Sequence, residues 1–206
     1  MADYNRKDHL HQKAKKEGLR SRAAYKLEEV QKSTKILSKG QRVFDLGCWP
    51  GGWLEIAARL VGKSGRVVGV DRAEVDPAIA LSQVVSIVGD LEDADLAVRL
   101  RECLGAERAD VVLSDAAPKL TGIRETDRAN VERLLEAIEV LLPQLLAKGG
   151  SLLIKILEGP EAAVVDKRIR KSFESAKAVK LKSTRKGSTE RYLIARGYRG
   201  EATTIR

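Results

Sequence analysis

Residues 42–53 read RVFDLGCWPGGW, and this stretch decides the fold. Its first half, Arg42 to Gly47, is a short apolar run that ends in a glycine turn, which is typical of a β-strand. From Gly52 to Val61 the apolar residues recur at the spacing of one helical face. The stretch therefore predicts a strand, a glycine-rich loop and a helix in immediate succession.

Strand-like runs recur along the rest of the chain, at residues 66–71, 84–88, 110–114 and 151–156. Between the last two, apolar residues from Val131 to Leu145 keep a helical spacing. Strands that alternate with helices are typical of a mostly parallel sheet with helices on both faces. Two final strand-like runs, at residues 176–181 and 191–195, predict an antiparallel hairpin that ends the sheet.

The length of 206 residues fits one α/β domain with short extensions. The segment before Gly40 is polar apart from a helical pattern at residues 23–31. We therefore expect a basic arm at residues 1–17, a single domain at 18–200 and a tail at 201–206. No segment holds the ~18 or more apolar residues that span a bilayer, and no secretory signal opens the chain, so a soluble cytoplasmic protein is expected.

Metal and disulfide chemistry find little support in the composition. Cys48 and Cys103 are the only cysteines, which is too few for a disulfide framework or a four-cysteine metal site. His9 and His11 have no third ligand near them in the sequence and are expected to be exposed. The sequence therefore predicts two reduced thiols and no metal.

Charge is unevenly divided along the chain. Residues 1–42 hold 12 Lys and Arg against 5 Asp and Glu, residues 43–166 hold 13 against 21, and residues 167–206 hold 13 against 3. Two basic ends thus flank an acidic middle, which favours a polyanionic partner because each neutralised phosphate releases counterions. The candidate phosphate-binding residues are Lys13, Lys15, Lys16, Arg20, Arg22, Lys180, Lys182, Arg185 and Lys186.

Acidic residues end or follow three predicted strands: Asp71, Asp90 and Asp115. The carboxyl ends of parallel strands lie at one edge of a sheet, so these side chains are expected to line one crevice. Asp71 can accept hydrogen bonds from both hydroxyls of a ribose, Asp90 can meet an adenine edge, and Asp115 can lie beside the reactive part of a cofactor. Each alone could equally be a cap or turn residue. The ordered set favours a site for an adenosyl group.

The glycines of the first loop follow the spacing Gly-x-x-x-Gly-Gly, from Gly47 to Gly52. Dinucleotide-binding loops use Gly-x-Gly-x-x-Gly, so a pyrophosphate cradle and an NAD-dependent oxidoreductase are disfavoured. Trp53, in the first turn after the loop, is more often a core residue of the helix than a wall of the ligand site. It could serve as both.

Lys155 interrupts the apolar run of residues 152–157 in a predicted central strand. Most lysines lie on the surface, whereas an unpaired charge at this position would cost several kcal/mol. The position therefore indicates a function.

Several motifs together closely resemble the FtsJ/RrmJ-type ribosomal RNA 2′-O-methyltransferases, over residues 18–196. The resemblance is carried by GLRSRAAYKL at residues 18–27, PGGW at 50–53, SDAAP at 114–118, GGSLLIK at 149–155 and STERY at 188–192. It implies a Rossmann-like class I methyltransferase with a seven-stranded sheet, S-adenosylmethionine as cofactor and a monomer acting on the large ribosomal subunit. The implied reaction is methylation of the 2′-hydroxyl of a uridine in 23S ribosomal RNA.

Site residues follow from the same resemblance. A Lys-Asp-Lys-Glu tetrad matches Lys26, Asp115, Lys155 and Glu190, and the cofactor contacts match Gly51, Trp53, Asp71, Asp90 and Asp115. We expect Lys155 to be the base or steering group for the 2′-oxygen and Asp115 to orient it. Lys26 and Glu190 would position the substrate and tune Lys155, although Glu190 could equally pair with Arg191 or Arg185 on the surface.

One departure from the family pattern falls inside the cofactor loop. Cys48 and Trp49 stand where the family usually has two small residues. The indole of Trp49 could crowd the methionine end of the cofactor or turn outward as part of a platform for RNA, and we favour the outward orientation. Cys48 is expected to be a small packing residue, because methyl transfer to a hydroxyl requires no thiol nucleophile.

Two other functions stay open. A relative acting on the tRNA anticodon loop would offer the enzyme a similar exposed nucleotide. A catalytically silent RNA-binding protein could keep the fold and the basic ends, but it should lack Lys155 or a continuous cofactor loop, and this chain has both.

Overall fold

The computed structural model describes residues 9–185 and 187–200. Residues 1–8 of the predicted arm, Lys186 and the predicted tail at 201–206 lie outside the described residues. The described helices are α1 (His9–Lys16), α2 (Ala23–Thr34), α3 (Gly52–Val61), α4 (Leu96–Leu104), α5 (Arg124–Leu145) and α6 (Pro160–Lys171). The described strands are β1 (Arg42–Leu46), β2 (Arg66–Asp71), β3 (Val84–Val88), β4 (Ala109–Ser114), β5 (Leu146–Leu157), β6 (Phe173–Val179) and β7 (Glu190–Tyr198).

The seven strands form one sheet in the order β3-β2-β1-β4-β5-β7-β6. The pairs among β1 to β5 are parallel. Strand β7 lies between β5 and β6 and runs antiparallel to both. The prediction of a Rossmann-like α/β fold with a seven-stranded, mostly parallel sheet and a C-terminal antiparallel hairpin is confirmed.

Apolar side chains fill the two faces of the sheet separately. One core joins the sheet to α2 and α3, and the other joins it to α4, α5 and α6. Helices therefore cover both faces, as the sequence predicts. Within residues 9–185 and 187–200, no helix combines the length and the apolar content that crossing a membrane requires.

Some boundaries differ from the sequence prediction. Strand β5 begins at Leu146 rather than residue 151, because Leu146 pairs with Ala109 before an irregularity in the register. Strand β6 covers residues 173–179 rather than 176–181, since it begins at the pair of Phe173 and Tyr198. These residues lack the continuous apolar pattern on which the prediction depends.

Helix α1 lies inside the predicted polar arm. Tyr25 of α2 donates a hydrogen bond at 2.6 Å to Glu17, the residue after α1, and Lys13 Nζ of α1 lies 5.0 Å from the centre of the Tyr25 ring. The buried side chain of Ala14 adds a small apolar contact. The sequence of α1 has apolar residues only at Leu10 and Ala14, which is too few for a helical periodicity to be recognised.

The order of the strands reverses between β1 and β4, since β2 and β3 extend the sheet on one side and β5 on the other. Ligands of open α/β sheets bind at such a point, outside the carboxyl ends of the strands. Ser114 at the end of β4 donates a hydrogen bond to the carbonyl of Leu46 at 2.8 Å, which joins the ends of the two strands. The fold therefore opens a crevice beside the RVFDLGCWPGGW loop.

Candidate active site

A crevice of about 470 Å³ lies at the carboxyl ends of the parallel strands. Its walls include residues that end or follow four consecutive strands, namely Gly47, Asp71, Asp90 and Asp115. The structure thus brings together the three aspartates that the sequence placed at one sheet edge.

The backbone of the first loop reaches positive φ at Gly47 and Gly51, at 82° and 101°. A Cβ at Gly47 would lie 2.5 Å from the Cβ of Ala116, so the loops after β1 and β4 are in direct backbone contact. At Gly51 a Cβ would lie 3.0 Å from Arg20 Cδ and 3.1 Å from Val75 Cγ1. Both positions favour glycine by backbone conformation, and Gly47 also requires it by space, because its neighbour includes backbone.

Replacing Gly47 by alanine is expected to lower the free energy of unfolding by about 2–5 kcal/mol, because a strained φ adds to a close contact with backbone. Urea unfolding of purified protein measures the change. Gly105→Ala is the matched control, since Gly105 has φ of 68° but no atom within 4 Å of the added Cβ, and it should cost only about 1–2 kcal/mol. Equal losses in the two variants would show that the contact with Ala116 relaxes freely.

Asp71 fixes the loop as well as lining the crevice. Its Oδ2 accepts a hydrogen bond from the backbone N–H of Trp49 at 3.0 Å, and its Oδ1 accepts one from Ala73 at 3.0 Å. Each carboxylate oxygen keeps a second lone pair for a ligand hydroxyl. Trp49 is 58% exposed and also lines the crevice, so the outward orientation of its indole stays a prediction.

Asp90 is paired with Arg72 at 2.7 Å from Nη2 to Oδ2. The Arg72 side chain is 75% exposed, and an exposed pair of this kind stabilises by at most about 1 kcal/mol. Arg72 can therefore yield to a ligand at little cost.

Gly51 and Trp53 are arranged differently from the three aspartates. Neither is among the residues that line the crevice. Trp53 is buried, donates from Nε1 to the carbonyl of Ala23 at 2.7 Å, and lies 6.0 Å from Tyr192 between ring centres. Its indole belongs to the core, so a cofactor contact would have to use its backbone N–H in the first turn of α3, where N–H groups have no partner within the helix.

Two groups beneath the loop are fully or nearly buried. Burial, followed by the charges of Asp45 and Asp71, raises the pKa of the Cys48 thiol, which makes it a poor nucleophile and supports the packing role. Burial also raises the pKa of Asp45 well above its ordinary value, and the charges of Asp115 and Asp71 add to the effect. Neither carboxyl oxygen of Asp45 has a hydrogen-bond partner among the described residues.

Asp45→Asn is expected to become increasingly stable relative to the wild type as pH rises from about 4. In the wild type the folded state retains a proton that the unfolded state loses, so each pH unit between the two pKa values removes about 1.4 kcal/mol of stability. The neutral amide avoids this loss. Urea unfolding of both proteins between pH 4 and pH 8 measures the difference, and a difference independent of pH would contradict the raised pKa.

All four residues of the predicted tetrad meet at one point, although they come from α2, the end of β4, β5 and β7. Lys155 Nζ donates a hydrogen bond to the main-chain carbonyl of Asp115 and lies 3.2 Å from Asp115 Oδ1. Lys26 Nζ lies 2.7 Å from Glu190 Oε1 and 3.6 Å from Asp115 Oδ1. Glu190 is thus paired with Lys26, and its side chain is only 13% exposed.

Tyr192 is a member of this cluster that the sequence analysis did not assign. Its hydroxyl lies 2.6 Å from Asp115 Oδ1 and 2.8 Å from Glu190 Oε1. In the register of β5 and β7, Tyr192 is the direct partner of Lys155. The available sequence signal is the spacing of Glu190 and Tyr192, because residues two positions apart in a strand lie on the same face. This signal becomes informative only once β7 is known to lie beside β5.

The buried cluster shifts the ionisation of two of its members. Burial alone would raise the pKa of Glu190, but the hydrogen bond and charge of Lys26, helped by Tyr192, lower it below its ordinary value. Burial, then the charges of Asp115 and Glu190, raise the pKa of Tyr192 far above its ordinary value. Glu190 is therefore a carboxylate and Tyr192 a neutral phenol near pH 7.

A second pocket of about 260 Å³ opens on another side of the cluster, lined by Arg22, Ala23, Lys26, Arg185, Ser188 and Glu190. It lies where the two basic ends of the chain meet. Arg22 donates to the carbonyl of Ser183 at 2.6 Å, and the Glu29 carboxylate accepts hydrogen bonds from the backbone N–H groups of Lys182 and Ser183. The tetrad therefore separates an acidic crevice from a basic pocket.

A Rossmann-like sheet with a nucleoside-sized crevice at the switch point defines the class I methyltransferase arrangement. Residues 19–198 match the family described as FtsJ-like methyltransferase, and the chain belongs to this family. The resemblance stated from the sequence is confirmed.

Curated relatives and solved structures agree with this assignment. Ribosomal RNA large subunit methyltransferase E of Methanothermobacter thermautotrophicus is 40% identical over 196 residues, which cover 95% of this chain and 92% of that protein. The protein of the same name from Pseudomonas aeruginosa strain PAO1 is 38% identical over 188 residues, covering 91% and 89%. A ribosomal RNA methyltransferase from Plasmodium falciparum has a similar structure, with a TM-score of 0.76, 27% identity and coverage of 88% of this chain and 100% of that one.

Proposed function

We propose that this FtsJ-like methyltransferase uses S-adenosylmethionine to methylate the 2′-hydroxyl of a uridine in 23S ribosomal RNA, as a monomer acting on the large ribosomal subunit. The observation that carries the proposal is the buried contact of Lys155 with Asp115, between the crevice and the basic pocket. The names of the relatives from Methanothermobacter and Pseudomonas support ribosomal RNA as the substrate.

The residues of the crevice fit the proposed cofactor. Asp71 would accept hydrogen bonds from the ribose hydroxyls and Asp90 from the adenine amino group, while the main-chain N–H groups around Gly51 and Trp53 would face the methionine carboxylate. The carboxylate of Asp115, which lines the crevice, suits a cationic group better than an anionic pyrophosphate. When bound, S-adenosylmethionine supplies a methyl group activated by its attachment to a positively charged sulfur.

The contacts of Lys155 suit a proton acceptor. A neutral amine has two hydrogens and one lone pair, and Asp115 offers two acceptors, its main-chain oxygen and Oδ1. When both hydrogens are donated to Asp115, the lone pair of Lys155 points away from Asp115 and is free to accept a hydrogen bond. There it can accept the proton of a 2′-hydroxyl as the oxygen becomes a nucleophile.

Lys26 and Glu190 complete the charge balance. The Lys26 ammonium is paired with the Glu190 carboxylate at 2.7 Å, so Glu190 is already engaged and opposes deprotonation of Lys155 less than a lone carboxylate would. Both residues also line the basic pocket. They are therefore suited to hold the ribose while Lys155 and Asp115 act on its hydroxyl.

The basic pocket would receive the target nucleotide. Arg22 and Arg185 at its rim can contact the flanking phosphates, and Lys13, Lys15, Lys16, Arg20, Lys180 and Lys182 extend the basic surface. Lys186 belongs to the same predicted set but lies outside the described residues. Binding should weaken steeply with salt, as expected for contacts to several phosphates.

The test compares two RNA substrates with labelled S-adenosylmethionine: large ribosomal subunits from cells lacking this protein, and unmodified tRNA. Label in the large subunit at a single uridine, mapped as resistance of its 3′ phosphodiester to alkali, is the expected result. Label in tRNA alone would favour the anticodon-loop enzyme instead. Absence of S-adenosylmethionine binding in calorimetry would reject the proposed cofactor.

A further inference from the structure

Tyr192 carries one hydroxyl proton, and two carboxylates lie within hydrogen-bond distance of it. The distances are 2.6 Å to Asp115 Oδ1 and 2.8 Å to Glu190 Oε1. A phenol donates only one hydrogen bond, and its oxygen can only accept from the other direction. With both neighbours ionised, one of these contacts is a donated hydrogen bond and the other is not.

The surroundings of the two oxygens indicate which one receives the proton. Glu190 Oε1 already accepts from Lys26 at 2.7 Å and from the hydroxyl of Thr184 at 3.3 Å. Asp115 Oδ1 lies 3.2 Å from Lys155 Nζ and 3.6 Å from Lys26 Nζ, both longer than the contact of Lys26 with Glu190, and it lies nearer to the phenol oxygen. The less engaged oxygen is also the closer one, so the proton of Tyr192 belongs on Asp115.

We infer that Tyr192 is a positioning residue for methyl transfer, which donates its hydroxyl proton to Asp115 Oδ1 and holds that carboxylate against Lys155. The inference rests on the proposed function. Tyr192 is fully buried and packs against Trp53, so its own position is fixed by the core. The rigid ring therefore sets where the Asp115 carboxylate lies.

The donated hydrogen bond also changes the charge that Lys155 meets. The carboxylates that act on Lys155 are Asp115 after β4 and Glu190 on β7, and the cations that face Asp115 besides Lys155 are Lys26 of α2 and Arg22 just before α2. A carboxylate that receives a phenol proton stabilises a neighbouring ammonium less strongly. Tyr192 thus weakens the attraction between the Asp115 carboxylate and the Lys155 amine.

The test is Tyr192→Phe, which removes the hydroxyl and keeps the ring. Single-turnover methylation at pH 7 should fall about ten- to a hundred-fold, the effect of losing one hydrogen bond to a charged group. In a plot of the methylation rate against pH, the acidic limb should move to higher pH, and the variant should recover part of its methylation rate at alkaline pH. The KM for RNA and the Kd for S-adenosylmethionine should stay within about two-fold, since Tyr192 lines neither pocket.

Tyr198→Phe is the matched control. It removes a hydroxyl from a second buried tyrosine of β7, one that packs against Phe173 in the other core. Its rate profile should match that of the wild type. A Tyr192→Phe protein with an unshifted acidic limb, or with a uniform loss of rate at every pH, would reduce Tyr192 to a structural residue and overturn the inference.

A second measurement needs no RNA, so it separates this inference from the proposed function. Lysine labelled at ¹³Cε reports the titration of Lys155 by NMR, with Lys155→Arg used to assign the resonance. Tyr192→Phe should move the midpoint to higher pH, and an unchanged or lower midpoint overturns the inference even if the wild type proves inactive on RNA. If Tyr192→Phe does not fold, Tyr192→Met removes the same hydroxyl, keeps an apolar side chain and carries the same expectations.

Discussion

Replacement of Lys155 by alanine is expected to lower the single-turnover rate of RNA methylation by at least about a thousand-fold, while S-adenosylmethionine still binds. The Lys155 amine contacts Asp115, which lines the crevice, and alanine leaves no amine at this position to take the proton. Rapid-quench methylation with saturating cofactor measures the rate. Calorimetry on the same sample measures cofactor binding.

The control for Lys155→Ala lies on the same strand. Lys148→Ala removes an exposed lysine near the start of β5 and should leave the rate unchanged. A normal rate of methylation by Lys155→Ala with bound cofactor would show that the base is another group or water. Loss of folding would be visible as a lower urea midpoint, so the two explanations are separable.

Asp115→Asn has the second largest expected effect, a loss of about a hundred- to a thousand-fold in the rate of methylation. The change keeps the shape of the side chain but removes the charge that faces Lys26, Lys155 and the proton of Tyr192. An amide has one oxygen rather than two and presents its N–H₂ to one of these donors. Cofactor affinity should also fall, because Asp115 lines the crevice.

Asp110→Asn makes the same substitution at the exposed start of β4, where the side chain accepts a hydrogen bond from the Arg42 N–H at 2.7 Å. An asparagine oxygen can keep this bond, so neither rate nor affinity should change by more than about two-fold. If Asp115→Asn lost cofactor affinity and kept its rate at saturation, Asp115 would be a binding residue alone. Equal behaviour of the two variants would contradict both of its assigned roles.

The sheet, the crevice and the position of Lys155 could be predicted because each depends on local sequence patterns. Strands β2 and β3 have the predicted bounds. The aspartates that end or follow the strands lie at one edge of the sheet because parallel strands all have their carboxyl ends at that edge. Lys155 was identified by a conflict between one charge and its apolar neighbours. A charged residue within an apolar strand can be recognised in the sequence even when the residue that pairs with it is unknown.

Tyr192 and the basic pocket could not be predicted in the same way. An aromatic residue in a strand has an obvious packing role, and only the insertion of β7 beside β5 brings its hydroxyl to Asp115. The indole of Trp53 is likewise turned into the core by a hydrogen bond to Ala23, a contact between residues 30 positions apart. Such pairings depend on tertiary packing, which no local pattern specifies.

The insertion of β7 ties catalytic competence to the completion of the chain. Glu190 and Tyr192 are supplied by the last strand, whereas Lys26 is supplied by a helix near the beginning, so the site is closed by contacts of very high sequence separation. A nascent chain whose β7 is still inside the ribosome holds the crevice residues but lacks Glu190 and Tyr192, and with them the ion pair of Lys26 and the hydroxyl contact of Asp115. A chain truncated before Glu190 should therefore keep the residues of the crevice but fail to methylate RNA.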